Sequence, residues 1–264
     1  MDGRADGLIH RVNLSFYPSP CQCKCIYCWH SSHGELKLKG STAEKIGYEK
    51  VLDTIDYAQK NGILAKDVSF VVSFGEITIH PYKDRIFNLI KNNTAIFFTN
   101  CFIFSEQIAQ NLASNPHSEI NLSIDSGTAQ TWFKVKGVDN FEKIKNNLIE
   151  YQAACLRPEQ IQLKYIVLPG INDSCEDYSS LIELMKVLEL SHLELSRDNI
   201  GIKYDIVQQN VVVEASASLA AMLIKNKMTY SFFAPFTPTE QRQITECANE
   251  FSQADRVLSS QQRR

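Results

Sequence analysis

Short β-rich runs alternate with longer amphipathic stretches along most of this chain, and no other feature narrows its fold as much. Strands are expected over 12–17, 68–73, 95–99, 120–125, 161–168 and 192–196. Helix-like segments lie at about 42–60, 82–92, 105–114, 138–154, 174–188 and 213–227. Ser41-Thr42-Ala43-Glu44 reads as a capping box, and Asp173-Ser174 precedes the fifth helix, which opens with acidic residues. Helices of crossover length between successive strands imply parallel pairing. The expected fold class is therefore α/β, its parallel strands open or curled into a partial (β/α)6 barrel. An N-terminal arm is expected over 1–11, a core domain over 12–205 and a C-terminal extension over 206–264, with 259–264 disordered.

With 264 residues and 44% hydrophobic composition, the chain can bury a large core. Its 27 basic and 30 acidic side chains leave no surplus of positive charge. Binding along a nucleic-acid backbone needs many Lys and Arg contacts to phosphate, so nucleic acid is not an expected partner. Residues 1–11 lack the apolar core of a signal peptide, and the most apolar run, 94–104, is too short to span a bilayer. A soluble cytoplasmic protein is expected. Cys21, Cys23, Cys25 and Cys28 crowd into one stretch, whereas Cys101, Cys155, Cys175 and Cys247 are scattered and read as ordinary thiols. A disulfide framework would spread its pairs, so clustering in a cytosolic chain points to metal.

Successive strand residues point to opposite faces. Leu14 and Phe16 oppose Asn13 and Ser15; Ile120, Leu122 and Ile124 oppose Asn121, Ser123 and Asp125. Lys164 opposes Leu163, Tyr165 and Val167, while Glu194 and Ser196 oppose Leu193 and Leu195. One face packs on helices. The other is too polar for a purely structural barrel interior, which branched apolar residues would fill. It reads as a cavity lining, with Asp125 and Lys164 as its candidate catalytic charges. Two such charges should pair with each other or meet polar ligand groups.

Cys21, Cys25 and Cys28 form Cys-x3-Cys-x2-Cys just past the first strand. Thiolates are the normal ligands of iron–sulfur clusters, and four close one completely. Three leave one iron open to a chelating amine and carboxylate. An electron passed from such a cluster into a sulfonium breaks a carbon–sulfur bond, a radical chemistry proteins delegate to cofactors.

Cys-x3-Cys-x-aromatic-Cys, with Tyr27 in the aromatic slot, resembles the signature of the radical S-adenosylmethionine (radical SAM) superfamily. The resemblance extends over about 12–200. Ser73-Phe74-Gly75-Glu76 resembles the Gly-Gly-Glu motif that binds the methionyl amine, with Phe74 replacing its first glycine. Ser123-Ile124-Asp125 is similar to the stretch beside the ribose and methionyl groups, and 167–173, including Leu168, to the segment near adenine. Each follows a strand, where such folds place ligands. The resemblance implies a [4Fe–4S] cluster on Cys21, Cys25 and Cys28. It implies S-adenosylmethionine contacts from Tyr27, Ser73, Gly75, Glu76, Ser123 and Leu168. Cys23 has no role in that pattern.

The activity so implied is reductive cleavage of S-adenosylmethionine, followed by hydrogen-atom abstraction from a small-molecule substrate. A peptide or protein substrate, including a glycyl-radical enzyme to be activated, is the alternative. An electron donor such as flavodoxin or ferredoxin is the expected partner. A non-catalytic reading has Cys25, Cys28, His30 and His33 holding structural zinc, but that spacing is cramped for a zinc module. Lys134 and Lys136 read as residues of a solvated loop, and Glu194, Asp198 and Asp205 as candidate substrate contacts.

Overall fold

The computed structural model describes residues 7–14, 21–28, 42–73, 75–198, 206–233 and 235–261. Ser41, His30, His33, Phe74, Asp205 and 262–264 lie outside the described residues, as does the end of the first expected strand. In chain order come β1 (Ile9–Asn13), α1 (Thr42–Lys60), β2 (Leu64–Val72), α2 (Lys83–Ile90), β3 (Thr94–Phe98), α3 (Glu106–Ser114) and β4 (Glu119–Ser123). There follow α4 (Ala129–Lys136), α5 (Phe141–Ala154), β5 (Ile161–Val167), α6 (Cys175–Val187), β6 (His192–Arg197), α7 (Ile206–Lys225), β7 (Thr229–Phe232) and α8 (Pro238–Gln261). Strand order follows chain order in a 7-stranded sheet, and the described pairings are parallel. The α/β class and parallel pairing are as expected, and the sheet is not closed into a barrel.

Two compact units share the chain. One comprises Met1–Gln22, Gly34–Asn121 and Asn147–Ile161; the other comprises Cys23–His33, Leu122–Asn146 and Gln162–Arg264. In the first, Phe70, Ala95 and Phe97 are wholly buried on β2 and β3. Helix α2 buries Ile86, Phe87, Leu89 and Ile90, a stripe at helical spacing, and each such side chain contributes about 1.5–3 kcal/mol. Ser105 caps α3 by accepting from Ile108 N, and Tyr151 Oη accepts from Ser105 N at 2.8 Å. In the second unit, Leu163, Tyr165, Leu193 and Leu195 form the buried face of β5 and β6. Their polar neighbours Lys164 and Glu194 stand opposite each other in register, both half-buried. Helix α7 packs along α8.

The structure departs from the sequence reading in three places. β1 begins at Ile9, so the first strand starts earlier than residue 12. The single helix expected over 138–154 is preceded by another, α4, which the reading treated as loop. Gly137, at φ +68°, ends α4 in the left-handed conformation that glycine adopts without a steric cost. Residues 206–264 also contain a seventh parallel strand, β7, paired with β6. No described helix is long and apolar enough to cross a membrane.

Candidate functional site

In the first unit the candidate residues gather after β2 and β3. Gly75 adopts φ +102°, a conformation side-chain-bearing residues rarely take. It delivers Glu76 into a site where the residue is 1% exposed. Glu76 Oε1 accepts from Thr78 N (3.1 Å), Thr78 Oγ1 (2.8 Å) and Thr99 Oγ1 (2.9 Å). Its Oε2 accepts from Asn100 N at 2.8 Å. Burial pushes the Glu76 carboxyl pKa up against the lowering effect of those hydrogen bonds. The carboxylate thus joins the turn after β2 to the turn after β3. Ser73 lies half-buried at the end of β2.

Asn100 carries this link to Cys21. Its Nδ2 lies 3.4 Å from Cys21 Sγ and 3.2 Å from Gln22 Oε1. Gln22 Nε2 is buried and has no hydrogen-bond partner among the described residues. Nothing in the sequence singled out Thr99 or Asn100, because their value lies in contacts to residues over twenty positions away.

In the second unit the cysteine loop docks on the end of α4. Lys24 N donates to Lys136 O at 2.7 Å and Ile26 N to Val135 O at 3.0 Å, using carbonyls that a helix end leaves unpaired. Cys28 N donates to Cys25 O at 3.0 Å, closing a tight turn. A Cβ on Gly137 would lie 3.0 Å from Lys24 Cβ and 3.3 Å from Lys24 O, so glycine permits this approach. The other end of α4 is held by Asp177 of α6. Its Oδ1 accepts from Gly127 N, Thr128 N and Thr128 Oγ1, each at 3.1 Å, and its Oδ2 accepts from Thr131 Oγ1 at 2.7 Å.

Tyr27, Ser123, Asp125 and Leu168, predicted separately, are brought together here. The Tyr27 ring packs on Val135, Ile166 and Leu168. Lys136 Nζ donates to Tyr27 Oη (2.5 Å), Asp125 Oδ2 (2.5 Å) and Ser123 O (2.6 Å). Tyr27 Oη also donates to Asp125 Oδ2. Lys136 is therefore no solvated loop residue: it is 3% exposed and sits on a helix. Burial disfavours its charge, yet Asp125 and Cys25 hold its pKa above the ordinary lysine range.

Asp125, expected on a cavity lining, is 0% exposed at φ +51°. Its Oδ1 accepts from Ile166 N at 2.6 Å, and its backbone oxygen accepts from Asn172 Nδ2 at 2.9 Å. Asn172 Oδ1 accepts from Leu168 N at 2.7 Å, fixing the segment after β5. Lys164 does not take Asp125 as its ion-pair partner; its ammonium lies 4.5 Å from the centroid of the Phe233 ring. Burial lowers the Lys164 pKa, opposed by the charges of Asp125 and Glu194.

The chemistry of these donors fits an iron–sulfur cluster. No disulfide engages Cys21, Cys25 or Cys28. A hydrogen bond with Cys23 does most to lower the Cys25 pKa. Burial opposes it, the Lys136 charge adds to it, and the thiol comes down to about 6. Thiolate is the form that binds metal. Gln22 Nε2, next in sequence to Cys21 and without a partner among the described residues, is a donor of the kind that serves cluster sulfur. Among the described residues no three His, Cys, Asp or Glu side chains converge to hold a single ion.

The model for the Radical SAM superfamily matches residues 20–182. A probable GTP 3′,8-cyclase of Methanococcus maripaludis is 22% identical over 237 residues, covering 87% of this chain and 75% of the relative. Streptococcus suis SuiB bound to precursor peptide SuiA shares the fold, with a TM-score of 0.54 at 16% identity over 86% of this chain. This chain spans about half, 48%, of the SuiB chain. HydG, a maturase of the [FeFe]-hydrogenase, aligns with a TM-score of 0.55 at 13% identity, covering 91% of this chain and 55% of HydG. The match over residues 20–182 contains the whole cysteine motif and the segments after β2, β4 and β5. This chain belongs to the radical SAM superfamily, whose enzymes use a [4Fe–4S] cluster and S-adenosylmethionine.

Proposed function

We propose that Cys21, Cys25 and Cys28 hold the [4Fe–4S] cluster and that the enzyme acts on a small molecule. The observation that carries the cluster assignment is the cysteine loop itself, backbone-bonded to the end of α4 with the Cys25 thiol brought down to about 6. Bound together, cluster and S-adenosylmethionine supply reductive carbon–sulfur cleavage and a 5′-deoxyadenosyl radical that removes a hydrogen atom from substrate. The protein's own residues position and protect. Tyr27 packs beside Leu168 and orders the loop; Lys136 and Asp125 hold Tyr27 from below. Gly75 frees the backbone after β2 for the methionyl end, Glu76 braces that turn, and Ser73 and Ser123 are each assigned a polar contact to the cofactor. Lys164 is the charge we assign to substrate or cofactor carboxylate, since Asp125 is committed to Lys136.

The small-molecule reading is supported by the M. maripaludis relatives, named for a reaction of GTP, which match across 87% of this chain. An electron donor of the flavodoxin or ferredoxin class completes the system. Anaerobically reconstituted protein, reduced with dithionite, is expected to form 5′-deoxyadenosine and methionine from S-adenosylmethionine, with GTP as the first added probe. Stimulation by peptides but not by GTP or other metabolites would replace the small-molecule reading with the peptide one. Absence of cleavage despite a full cluster would end both.

A further inference from the structure

The Asn100 side chain is fixed from three directions. Its backbone N donates to the buried Glu76 Oε2 at 2.8 Å. Its Oδ1 accepts from Phe102 N at 2.9 Å, which settles the orientation of the amide, because a backbone N–H can only donate. Its Nδ2 then faces Gln22 Oε1 at 3.2 Å and Cys21 Sγ at 3.4 Å. Thr99 Oγ1 accepts from Cys101 N at 3.1 Å, and Cys101 takes φ +55° to complete the turn. Asn147 Nδ2 donates to Cys101 O at 2.7 Å, tying the same turn to α5. So much pinning for one amide exceeds what an ordinary surface turn needs.

We propose that Asn100 is a positioning residue that aims an N–H dipole at the sulfur of Cys21 and thereby raises the reduction potential of the cluster this cysteine holds. The inference rests on the assignment of Cys21 as a cluster ligand. One-electron reduction adds a negative charge shared between the irons and their sulfurs. A donor pointed at a sulfur stabilises that added charge more than it stabilises the oxidised state. The donor cannot turn away, since Phe102 N holds the other end of the amide and Glu76 holds the backbone.

Two variants separate electrostatics from bracing. Asn100→Asp keeps the acceptor for Phe102 N but faces Cys21 with a carboxylate oxygen. Asn100→Ala removes both. If Asn100 merely braced the turn, the Asp variant would resemble wild type. If it tunes the cluster, the midpoint falls in the order wild type, Ala, Asp. The readout is an anaerobic dithionite titration followed by electron paramagnetic resonance at neutral pH, without S-adenosylmethionine. Iron and sulfide content and the circular dichroism of the apoprotein are measured alongside. The Asp variant is expected to lose at least about tenfold in its reduction equilibrium, about 59 mV for a one-electron couple. Should the Ala variant fail to fold, the Asp variant decides alone. Wild-type midpoints in folded variants with about four irons each would overturn the inference and leave the cluster assignment standing. A wild-type protein that assembles no cluster would sink both.

Discussion

The ammonium of Lys136 lies 2.5 Å from the carboxylate of Asp125, with both side chains withdrawn from solvent. Removing one member of such a pair strands the other charge in a low-dielectric site. Lys136→Met is therefore expected to cost about 3 kcal/mol in the apoprotein, toward the low end of the usual range because Tyr27 and Ile166 N still serve Asp125. Adding Asp125→Asn should recover part of that loss. Urea unfolding of the single and double variants gives the comparison, and equal stability of Lys136→Met and wild type would deny the pair any structural role.

Glycine substitutions should diverge sharply. A Cβ at Gly127 would fall 1.9 Å from Asp177 O, a backbone atom of helix α6, so Gly127→Ala should destabilise by roughly 3 kcal/mol or more. Gly137→Ala should cost about 1–2 kcal/mol for the left-handed backbone and lower iron incorporation by displacing Lys24. Gly47, inside α1 with nothing within 4 Å of its added Cβ, should gain up to about 1 kcal/mol as alanine. Thermal melts rank the three, and a harmless Gly127→Ala would contradict the packing described for α4.

Acid should weaken the first unit through His80. This residue is 6% exposed, and its Nδ1 accepts from Tyr82 N at 3.0 Å, a bond available only to the unprotonated nitrogen. Burial lowers its pKa from 6.5 to about 4. The folded state therefore binds fewer protons than the unfolded state between those values. Stability from this group is complete above about pH 6.5 and falls as pH drops toward about 4, by at most about 3 kcal/mol. His80→Asn keeps an acceptor near Nδ1 and should flatten the slope of unfolding free energy across that window. An unchanged slope would exclude His80 as its source.

Gly75→Val should weaken S-adenosylmethionine binding while the cluster still assembles, because a φ of +102° suits glycine and strains a β-branched residue. Calorimetry on reconstituted protein reads the affinity, and an unaltered value would remove this turn from the cofactor site.

Lys164→Met keeps most of the side-chain length and its packing on Phe233 but removes the charge. Turnover should fall at least about tenfold, equivalent to about 1.4 kcal/mol of transition-state stabilisation, with little change in the melting temperature. Wild-type turnover would place this lysine outside the chemistry.

Much of the architecture was legible in the order of residues. Alternation marked β2 to β6 to within a few positions, because a strand with one buried face must repeat its apolar residues every second position. The cap at Ser174 was readable because capping is a local exchange between a hydroxyl and a nearby N–H. The helix α4 escaped, since Ala129–Lys136 spans only about two turns and its ends are secured by Asp177 and by the cysteine loop, both distant in sequence. β7 escaped for a similar reason: four residues gain strand character only by pairing with β6.

The candidate site divides along the same line. Cys-x3-Cys-x2-Cys with its aromatic residue is a local pattern, so the sequence by itself pointed to the family and to the cluster ligands we propose, as strand–helix alternation pointed to the α/β class. Which charge answers which was decided only in three dimensions. Alternation set Asp125 and Lys164 on one face, but Asp125 leaves the strand at φ +51° and turns to Lys136. Asn100 reached Cys21, and Glu76 turned inward to hold Asn100, through contacts that no spacing rule encodes. Periodicity constrains the direction of a side chain within its own element. The partner at the end of that side chain depends on how separate elements pack, which only the tertiary structure decides.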